Sequence, residues 1–493
     1  MFRLYNSVTR RVEQFQPSAT PVGMYSCGPT VYSYPHLGNM RTYVFADTLR
    51  RALRWKGFGV RHVVNITDVG HAVADSDTGL DKMEVAAARE RRSVEEIAAH
   101  YTEAFFADLA ALNVLPADEY PRASAWVDQM IAFAARLESL GYAYQLPSGL
   151  YFDTGKLSSY GALALINAGG QRGGHLHGRR LATDFALWRA DEPGQRRIMR
   201  WESPWGPGVP GWHLECSVMS TALLGEHFDI HTGGVDHREL HHVNEIAQSE
   251  AYLGDGRPWV RYWLHGEFLR LGAQRMAKSA GGAPRLADLT EAGYHPMAFR
   301  LFLLGSHYRS QLDFTPAVMD TAQATLRRLV TRIAPLRSLA PQGPLVARGN
   351  PGPLVAHGNP DPVAACLLDQ IDAAVSADLA TPRILATLHD ALREPALSQA
   401  GLRAVVAECD ELLGLGLARL DAADLARGRR AIGDLQSADL QSADLQSIGQ
   451  LVADRTQARK GKDWARADRI RAELDRLGVQ VTDTPDGPVW ELR

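Results

Sequence analysis

The sequence predicts an α/β protein: a Rossmann-like parallel-sheet domain split by an insertion, a helical bundle domain, and a small C-terminal α/β module. Three observations carry this. Strand-like and helix-like segments alternate from Val22 to Ile66 and again from Trp212 to Trp263. Residues beyond about 320 show helical spacing, and the chain closes on two strand-like runs around Thr484-Pro-Asp-Gly487. The length of 493 residues suits about three domains. With 45% hydrophobic and 22% charged residues, wholesale disorder is excluded.

The first element is the apolar run Val22 to Cys27, a buried strand closed by Gly28-Pro29. Phe45, Leu49, Ala52 and Leu53 follow at i, i+4, i+7 and i+8, so a helix from about Met40 to Lys56 presents one apolar stripe, with Asn39 as its N-cap. Val60 to Ile66 is a second β-branched run and ends in Thr67-Asp68. Strand, helix, strand in this order makes a parallel βαβ unit.

From about 75 to 210 the texture changes. Helix-like stretches at Ser93 to Leu109 and Ala123 to Leu140 give way to Gly/Trp/Pro-rich turns, and the whole reads as an insertion of helices and turns. The α/β pattern resumes with a helix (Trp212 to Leu224), a strand (Phe228 to His231), a helix (Glu245 to Leu253) and a strand (Trp259 to Trp263). Farther on, Leu326, Leu329, Ile333 and Leu336 keep helical spacing, with similar texture from Ala364 to Leu420. The layout is 1–75 and 211–270 for the split domain, 76–210 for the insertion, 271–320 for a stretch with a cationic loop, 321–432 for the helical domain, 433–447 for a linker and 448–493 for the C-terminal module. Two short repeats, Gly343 to Pro351 repeated at Gly352 to Pro360, and Asp-Leu-Gln-Ser at Asp434, Asp439 and Asp444, are too short for a solenoid and read as duplicated linkers.

A net charge of −3 leaves no basic field over the whole molecule, so any nucleic-acid contact must come from a local patch. Four cysteines (Cys27, Cys216, Cys366, Cys409), the nearest two 43 residues apart, give no disulfide framework. The first residues lack the apolar core of a signal peptide, and no apolar run reaches the length of a membrane span. The expectation is a reduced, soluble, cytoplasmic protein.

Four polar clusters fall at or beyond the C-terminal ends of expected strands: Cys27 to Asn39, Thr67-Asp68, His231 to Asp236, and Gln274 to Ser279. Ligands of open α/β sheets bind at that edge. The first cluster feeds a helix N-terminus, which suits phosphate; His36 can donate to a phosphate oxygen, and Gly38 admits a ligand close to the backbone. The last offers Arg275 and Lys278 to charge developing on phosphorus.

His36-Leu-Gly-Asn39 and Arg275-Met-Ala-Lys-Ser279 resemble the paired signatures of class I aminoacyl-tRNA synthetases. Further words resemble the cysteinyl-tRNA synthetase family: Cys27-Gly-Pro-Thr-Val-Tyr32, Asn65-Ile-Thr-Asp68, Pro210-Gly-Trp-His-Leu-Glu-Cys-Ser217, Phe228 to Asp236, His241 to Gln248, and the tail from Lys462 to Trp490. The resemblance covers nearly the whole chain, with gaps at the repeats. It implies a ligase that activates L-cysteine with ATP, with Mg2+, and transfers it to tRNA(Cys), acting as a monomer away from membranes, with 271–320 as a signature-loop and stem-contact region and 321–432 as a helical tRNA-binding domain. It also implies one Zn2+ per chain on Cys27, Cys216, His241 and Glu245, which takes the substrate thiol; before the resemblance, spacing says only that His241 and Glu245 share a helix face. Thr67, Trp212, His231 and Asp236 would hold cysteine. His36, Gly38, Asn39, Gly233, Gly234, Arg275 and Lys278 would hold ATP, with His36, Asn39 and Lys278 catalytic. Where the second signature usually has serine and lysine, Ala277 and Arg275 stand here.

Residues 455 to 476 hold eight Lys/Arg against four acids, a local basic surplus. Trp464, Ala467, Ile470, Leu474 and Leu477 form an apolar stripe that would turn the cations outward, and Arg459, Lys460, Lys462, Arg466 and Arg469 are the expected tRNA contacts within an anticodon-binding module. Two rivals share parts of this pattern: a cysteine ligase acting on an amino-sugar acceptor in mycothiol synthesis, which needs no anticodon module, and an inactive zinc-containing RNA-binding paralogue.

Overall fold

The structure, a computed structural model, describes residues 1–69, 81–164, 178–191, 197–271, 274–275, 283–337, 361–421, 425, 429–430, 442–461, 463–476, 479–484 and 487–492. A short hairpin, β1 (Arg3–Asn6) and β2 (Arg11–Gln14), precedes β3 (Val22–Ser26), which is buried throughout. Helix α1 (Leu37–Trp55) returns the chain to β4 (Val60–Val64), parallel to β3 with Tyr25 opposite Val63. The βαβ unit is as expected. Its cap is not: His36, rather than Asn39, is the N-cap, and the helix starts at Leu37. His36 Nδ1 accepts from the Asn39 N–H at 3.1 Å, and Asn39 Oδ1 accepts from the His36 N–H at 3.1 Å. A ring nitrogen here does the work usually done by a short oxygen side chain, and Asn39 closes the box from the third helical position.

Helices α2 (Lys82–Glu90) and α3 (Val94–Ala111) pack Met83, Ile97, Tyr101 and Phe105 into the same apolar cluster as Tyr43 and Val44 of α1. After a 3-10 turn comes α4 (Val127–Ser139), and then an element that corrects the sequence reading. Strands β5 (Ala143–Leu146), β6 (Gly149–Phe152), β7 (Phe185–Ala190) and β8 (Gly208–Pro210) form an antiparallel sheet in that order where helices and turns were expected. Every residue of β6 and β7 is buried, so no polar/apolar alternation marks them.

Helix α5 (Trp212–Leu224), strand β9 (Phe228–Gly234), the short α6 (Val235–Glu239), α7 (His241–Leu253) and strand β10 (Val260–Gly266) complete a four-stranded parallel sheet of order β10-β9-β3-β4. Strand β9 runs three residues past the expected end at His231, and α7 begins four residues before the expected Glu245. The chain leaves β3 toward β4 and leaves β9 toward β10, in opposite directions. The β3/β9 junction is therefore a topological switch point, with Cys27 just beyond one strand end and Gly234 at the other.

A small sheet of β11 (Leu269–Leu271), β12 (Gln274–Arg275) and β13 (Leu312–Phe314) follows, with α8 (Leu286–Glu291) and α9 (Pro296–Leu304) inserted before β13. The helical region is as expected: α10 (Pro316–Arg337), α11 (Pro362–Ser376), α12 (Thr381–Ala391) and α13 (Gln399–Leu413). It sits on the back of α1, where Trp55 Nε1 donates to Glu408 at 2.5 Å and the Arg51 guanidinium donates to the Glu411 carbonyl at 3.1 Å. Cys366 and Cys409 are ordinary residues of α11 and α13.

At the C-terminus β14 (Arg429–Arg430) pairs with the second strand of the expected hairpin, and α14 (Ser442–Lys460) and α15 (Trp464–Arg476) precede that hairpin, β15 (Val479–Thr484) and β16 (Gly487–Leu492). Three details differ from the sequence reading. The Asp-Leu-Gln-Ser copy at Asp444 lies inside α14, not in a linker. Arg455 is buried, so the cations do not all face outward, and Trp464 is 57% exposed while Ala467, Ile470 and Leu474 are buried. Trp464 is the first residue of α15 and so precedes the stripe's buried turns. The first repeat pair, the Asp434 and Asp439 copies and Leu477 lie outside the described residues. No helix among the described residues is long and apolar enough to cross a membrane.

Candidate functional site

Four side chains converge at the switch point. Cys27 follows β3, Cys216 lies on the first turns of α5, and His241 and Glu245 face them from α7. One ligand atom from each lies within 4.8 Å of the others, and all four residues are buried, Glu245 completely. Cys216 Sγ is 3.4 Å from His241 Nε2, and that nitrogen is 2.7 Å from Glu245 Oε1. Cys27 Sγ is 4.0 Å from the same carboxylate oxygen and 3.2 Å from His242 Nε2. The set named from the sequence is thus one cluster in space.

Charge is distributed unevenly over this cluster. Burial raises the Cys27 thiol far above its usual range, and the neighbouring Cys216 raises it further. Burial pushes Cys216 the same way, but its hydrogen bond from Cys27 and the His241 charge outweigh this and bring it down to about 6. The two thiols are thus pushed in opposite directions and titrate as a coupled pair. Glu245 is held at about 2 against its burial by His241 and His231. His241 is raised to about 10 against its burial by Glu245 and Cys216.

A layer behind the cluster fixes its orientation. His231 Nε2 contacts Glu245 Oε2 at 2.7 Å, and His213 Nδ1 contacts His241 Nδ1 at 2.9 Å. From His242 a chain of contacts runs to His265 (2.8 Å) and on to Ser7 Oγ (2.7 Å). His231 and His242 also form, with Cys27 and Glu245, a second grouping of donors within 4.8 Å. His213, Glu215, His242 and His265 are the residues the sequence reading misses. The signal was present in the double histidine at 241 and 242: a helix turns about 100° per residue, so the two rings reach different thiols.

The other expected residues fall around this centre. Trp212, half-buried at the start of α5, lies with its ring centroid 4.3 Å from that of His241 and walls the site. Thr67 is buried, donates to Glu215 at 2.8 Å and accepts from Asn65 at 3.0 Å. Asp236, exposed at the mouth on α6, adds to the upward pressure on the Cys27 thiol. The close neighbours of both glycines are the chain's own side chains: a Cβ on Gly233 would sit 2.7 Å from His242, and one on Gly234 would sit 2.2 Å from Asp236. His36, Gly38 and Asn39 are half-buried at the start of α1, so the first signature is where expected.

The second signature enters as β12, ending at Arg275, of which only the backbone path is described; Met276 to Ser279, with Ala277 and Lys278, lie outside the described residues. Of the expected tRNA contacts, Lys460, Arg466 and Arg469 are exposed and Arg459 is half-buried, while Lys462 lies outside the described residues.

Comparison with known proteins bears on the whole chain. Residues 14–324 match the family of tRNA synthetases class I (C) catalytic domain, and residues 446–490 match the cysteinyl-tRNA ligase anticodon binding domain. The cysteine–tRNA ligase of Zymomonas mobilis is 44% identical over 99% of this chain and 97% of its own length. That of Thermus thermophilus is 39% identical over 99% of both. Among solved structures, the methionyl-tRNA synthetase of Mycobacterium tuberculosis with methionyl-adenylate aligns with a TM-score of 0.53 at 14% identity, covering 80% of this chain and 90% of its own. The ternary complex of Agrobacterium radiobacter LeuRS, tRNA and LeuAMS gives 0.57 at 10% identity over 97% and 96%. These two likenesses concern the fold.

Proposed function

The chain belongs to the cysteine–tRNA ligases of the class I synthetases, and on that premise we propose that its buried two-thiol cluster is a zinc centre that recognises the thiol of cysteine. As a member of that family it activates L-cysteine with ATP, releasing pyrophosphate, and transfers the cysteinyl group to the 3' end of tRNA. The rival reading as an amino-sugar ligase has no use for the anticodon binding domain.

The observation that carries the zinc reading is the donor set. Two sulfurs, one imidazole nitrogen and one carboxylate oxygen, all buried and within 4.8 Å of one another, are close to the roughly 3.3–3.8 Å edges of a tetrahedron built from zinc bonds of about 2.0–2.3 Å. A zinc ion there would stabilise a substrate thiolate, which serine cannot supply with its far higher hydroxyl pKa. His213 and His231 hold His241 and Glu245 in orientation, the usual duty of residues behind a metal ligand. Trp212 bounds the space for the small side chain, and the Asp236 carboxylate suits the substrate ammonium.

Activation needs the cysteine carboxylate to attack the α-phosphate as pyrophosphate leaves. Because His36 Nδ1 accepts the Asn39 N–H, its ring proton is assigned to Nε2, the atom it can offer to a phosphate oxygen. The Gly38 N–H in the first turn of α1 and the positive ends of Arg275 and Lys278 add to that stabilisation. In the second step the terminal ribose hydroxyl of tRNA attacks the adenylate carbonyl and AMP leaves.

The test is metal content. The purified full chain should carry one zinc per molecule by elemental analysis, and Cys216→Ser should lose most of it together with at least tenfold in affinity for cysteine. A variant that keeps a full equivalent removes Cys216 from the ligand set.

A further inference from the structure

One cationic recess has no part in the chemistry above. Thr325, Arg328, Leu329 and Arg332 of α10 fall at i, i+3, i+4 and i+7 and so share one helix face; opposite them stand His389, in the last turn of α12, and Arg393, just beyond it. Both helices rest on α9, and between them these residues enclose a surface cavity of about 310 Å3. Arg328 donates to Thr325 Oγ1 at 3.0 Å, and Arg332 and Arg393 make no ion pair with an acid among the described residues.

Packing gives no reason for this arrangement. Like charges four residues apart on one helix face are mildly destabilising, and Arg328 and Arg332 are such a pair. His389 feels the combined field: its pKa is lowered by burial, then by Arg393, Arg328 and Arg332, against the single opposing charge of Asp390. Three guanidiniums around one recess are a fork geometry matched to phosphate oxygens, where each N–H···O bond is charge-assisted. In a protein of net charge −3, three arginines gathered about one recess with Asp390 as the one acid acting on His389 there leave a local positive surplus that suits a ligand of opposite charge.

We propose that this recess is a phosphate-binding site of the helical domain, and that it seats backbone phosphates of the substrate tRNA. The choice of RNA rests on the family membership above. The recess lies in the helical region, between the stretches that match the catalytic and anticodon-binding families in chain order. It reads charge and position only, because phosphate contacts set register without reading bases.

The experiment uses the full-length enzyme with Arg332→Ala, Arg393→Ala and the double variant. The double variant should raise KM for tRNA about tenfold while cysteine-dependent ATP–pyrophosphate exchange stays at the wild-type rate. Its dependence of charging on salt should flatten, by about 0.7–0.9 in the log–log slope for each phosphate that the variant no longer neutralises. An unchanged KM and slope in the double variant overturn the proposal. A recess for free anions would show instead as inhibition of the wild type by millimolar inorganic phosphate, abolished in the double variant, with KM for tRNA unmoved; that too overturns it. A wild-type chain that fails even in exchange would defeat the family premise rather than the recess alone, so the two failures are distinguishable.

Discussion

The backbone N–H of Leu37, the first residue of α1, donates to the carbonyl of Pro284 at 2.9 Å. One of the unpaired amides of the first signature's helix is thus satisfied by the residue that follows the second signature's loop. Arg285 strengthens this tie: its guanidinium lies 4.9 Å over the ring of Tyr34, two residues before His36, and also pairs with Asp288 at 2.9 Å. The start of α1 is thus anchored to the segment Pro284-Arg285, which follows the second signature in the chain.

Arg285→Ala should therefore affect activation more than stability. The expected result is a three- to tenfold fall in kcat for ATP–pyrophosphate exchange, with the thermal midpoint within about 2 °C of wild type, since the cation–π pair it removes is exposed and worth about 0.5–1 kcal/mol. A variant with unchanged exchange would show that the anchor does not act on catalysis.

Asp47 is the centre of a buried ionic trio that joins α1 to α9: it pairs with Arg51 at 2.7 Å and with Arg300. Burial alone would raise its pKa, but Arg300 and Arg51 outweigh this and hold it below the usual carboxylate value. A depressed folded-state pKa adds stability that is present above the unfolded value near 4 and is lost as pH falls through the folded one. Asp47→Asn strands two buried cations and should cost about 3–5 kcal/mol in a urea melt at pH 7. A loss below about 1 kcal/mol would contradict this, as would a variant whose stability falls on acidification as steeply as that of wild type.

Gly28 explains why the chain can turn directly out of β3 into the site. A Cβ there would lie 1.5 Å from the Asn65 carbonyl oxygen, and the Gly28 N–H donates to the Asn65 side chain at 2.7 Å. Gly28→Ala must push β3 and the chain after β4 apart, which displaces Cys27. We expect KM for cysteine to rise at least tenfold and the thermal midpoint to fall; near-normal values for both would mean that the backbone yields without moving the thiol.

Much of this architecture is legible in the sequence, for identifiable reasons. The runs Val22 to Cys27 and Val60 to Ile66 show their parallel pairing because both strands are buried on two faces and bracket one amphipathic helix. The same burial hides β6 and β7, whose residues are all buried and show no polar/apolar alternation. His36 is hidden as a cap because histidine is an unusual N-cap. The pairing of Cys27 with Cys216, 189 residues apart, is beyond any spacing argument and comes only from family resemblance. In space it follows from β3 and α5 meeting at the switch point. The residues behind the thiol cluster stay hidden for a simpler reason: His213, Glu215 and His242 are chain neighbours of named positions, and sequence alone does not say which way each one points.

The most direct test of cysteine recognition by the thiol cluster is the ratio of kcat/KM for cysteine to that for serine in ATP–pyrophosphate exchange on the full chain. A site that binds its substrate through a thiolate should favour cysteine by about 10^4 or more without a second, proofreading site. A ratio near the roughly 10–100-fold that a small pocket gives by shape would contradict it.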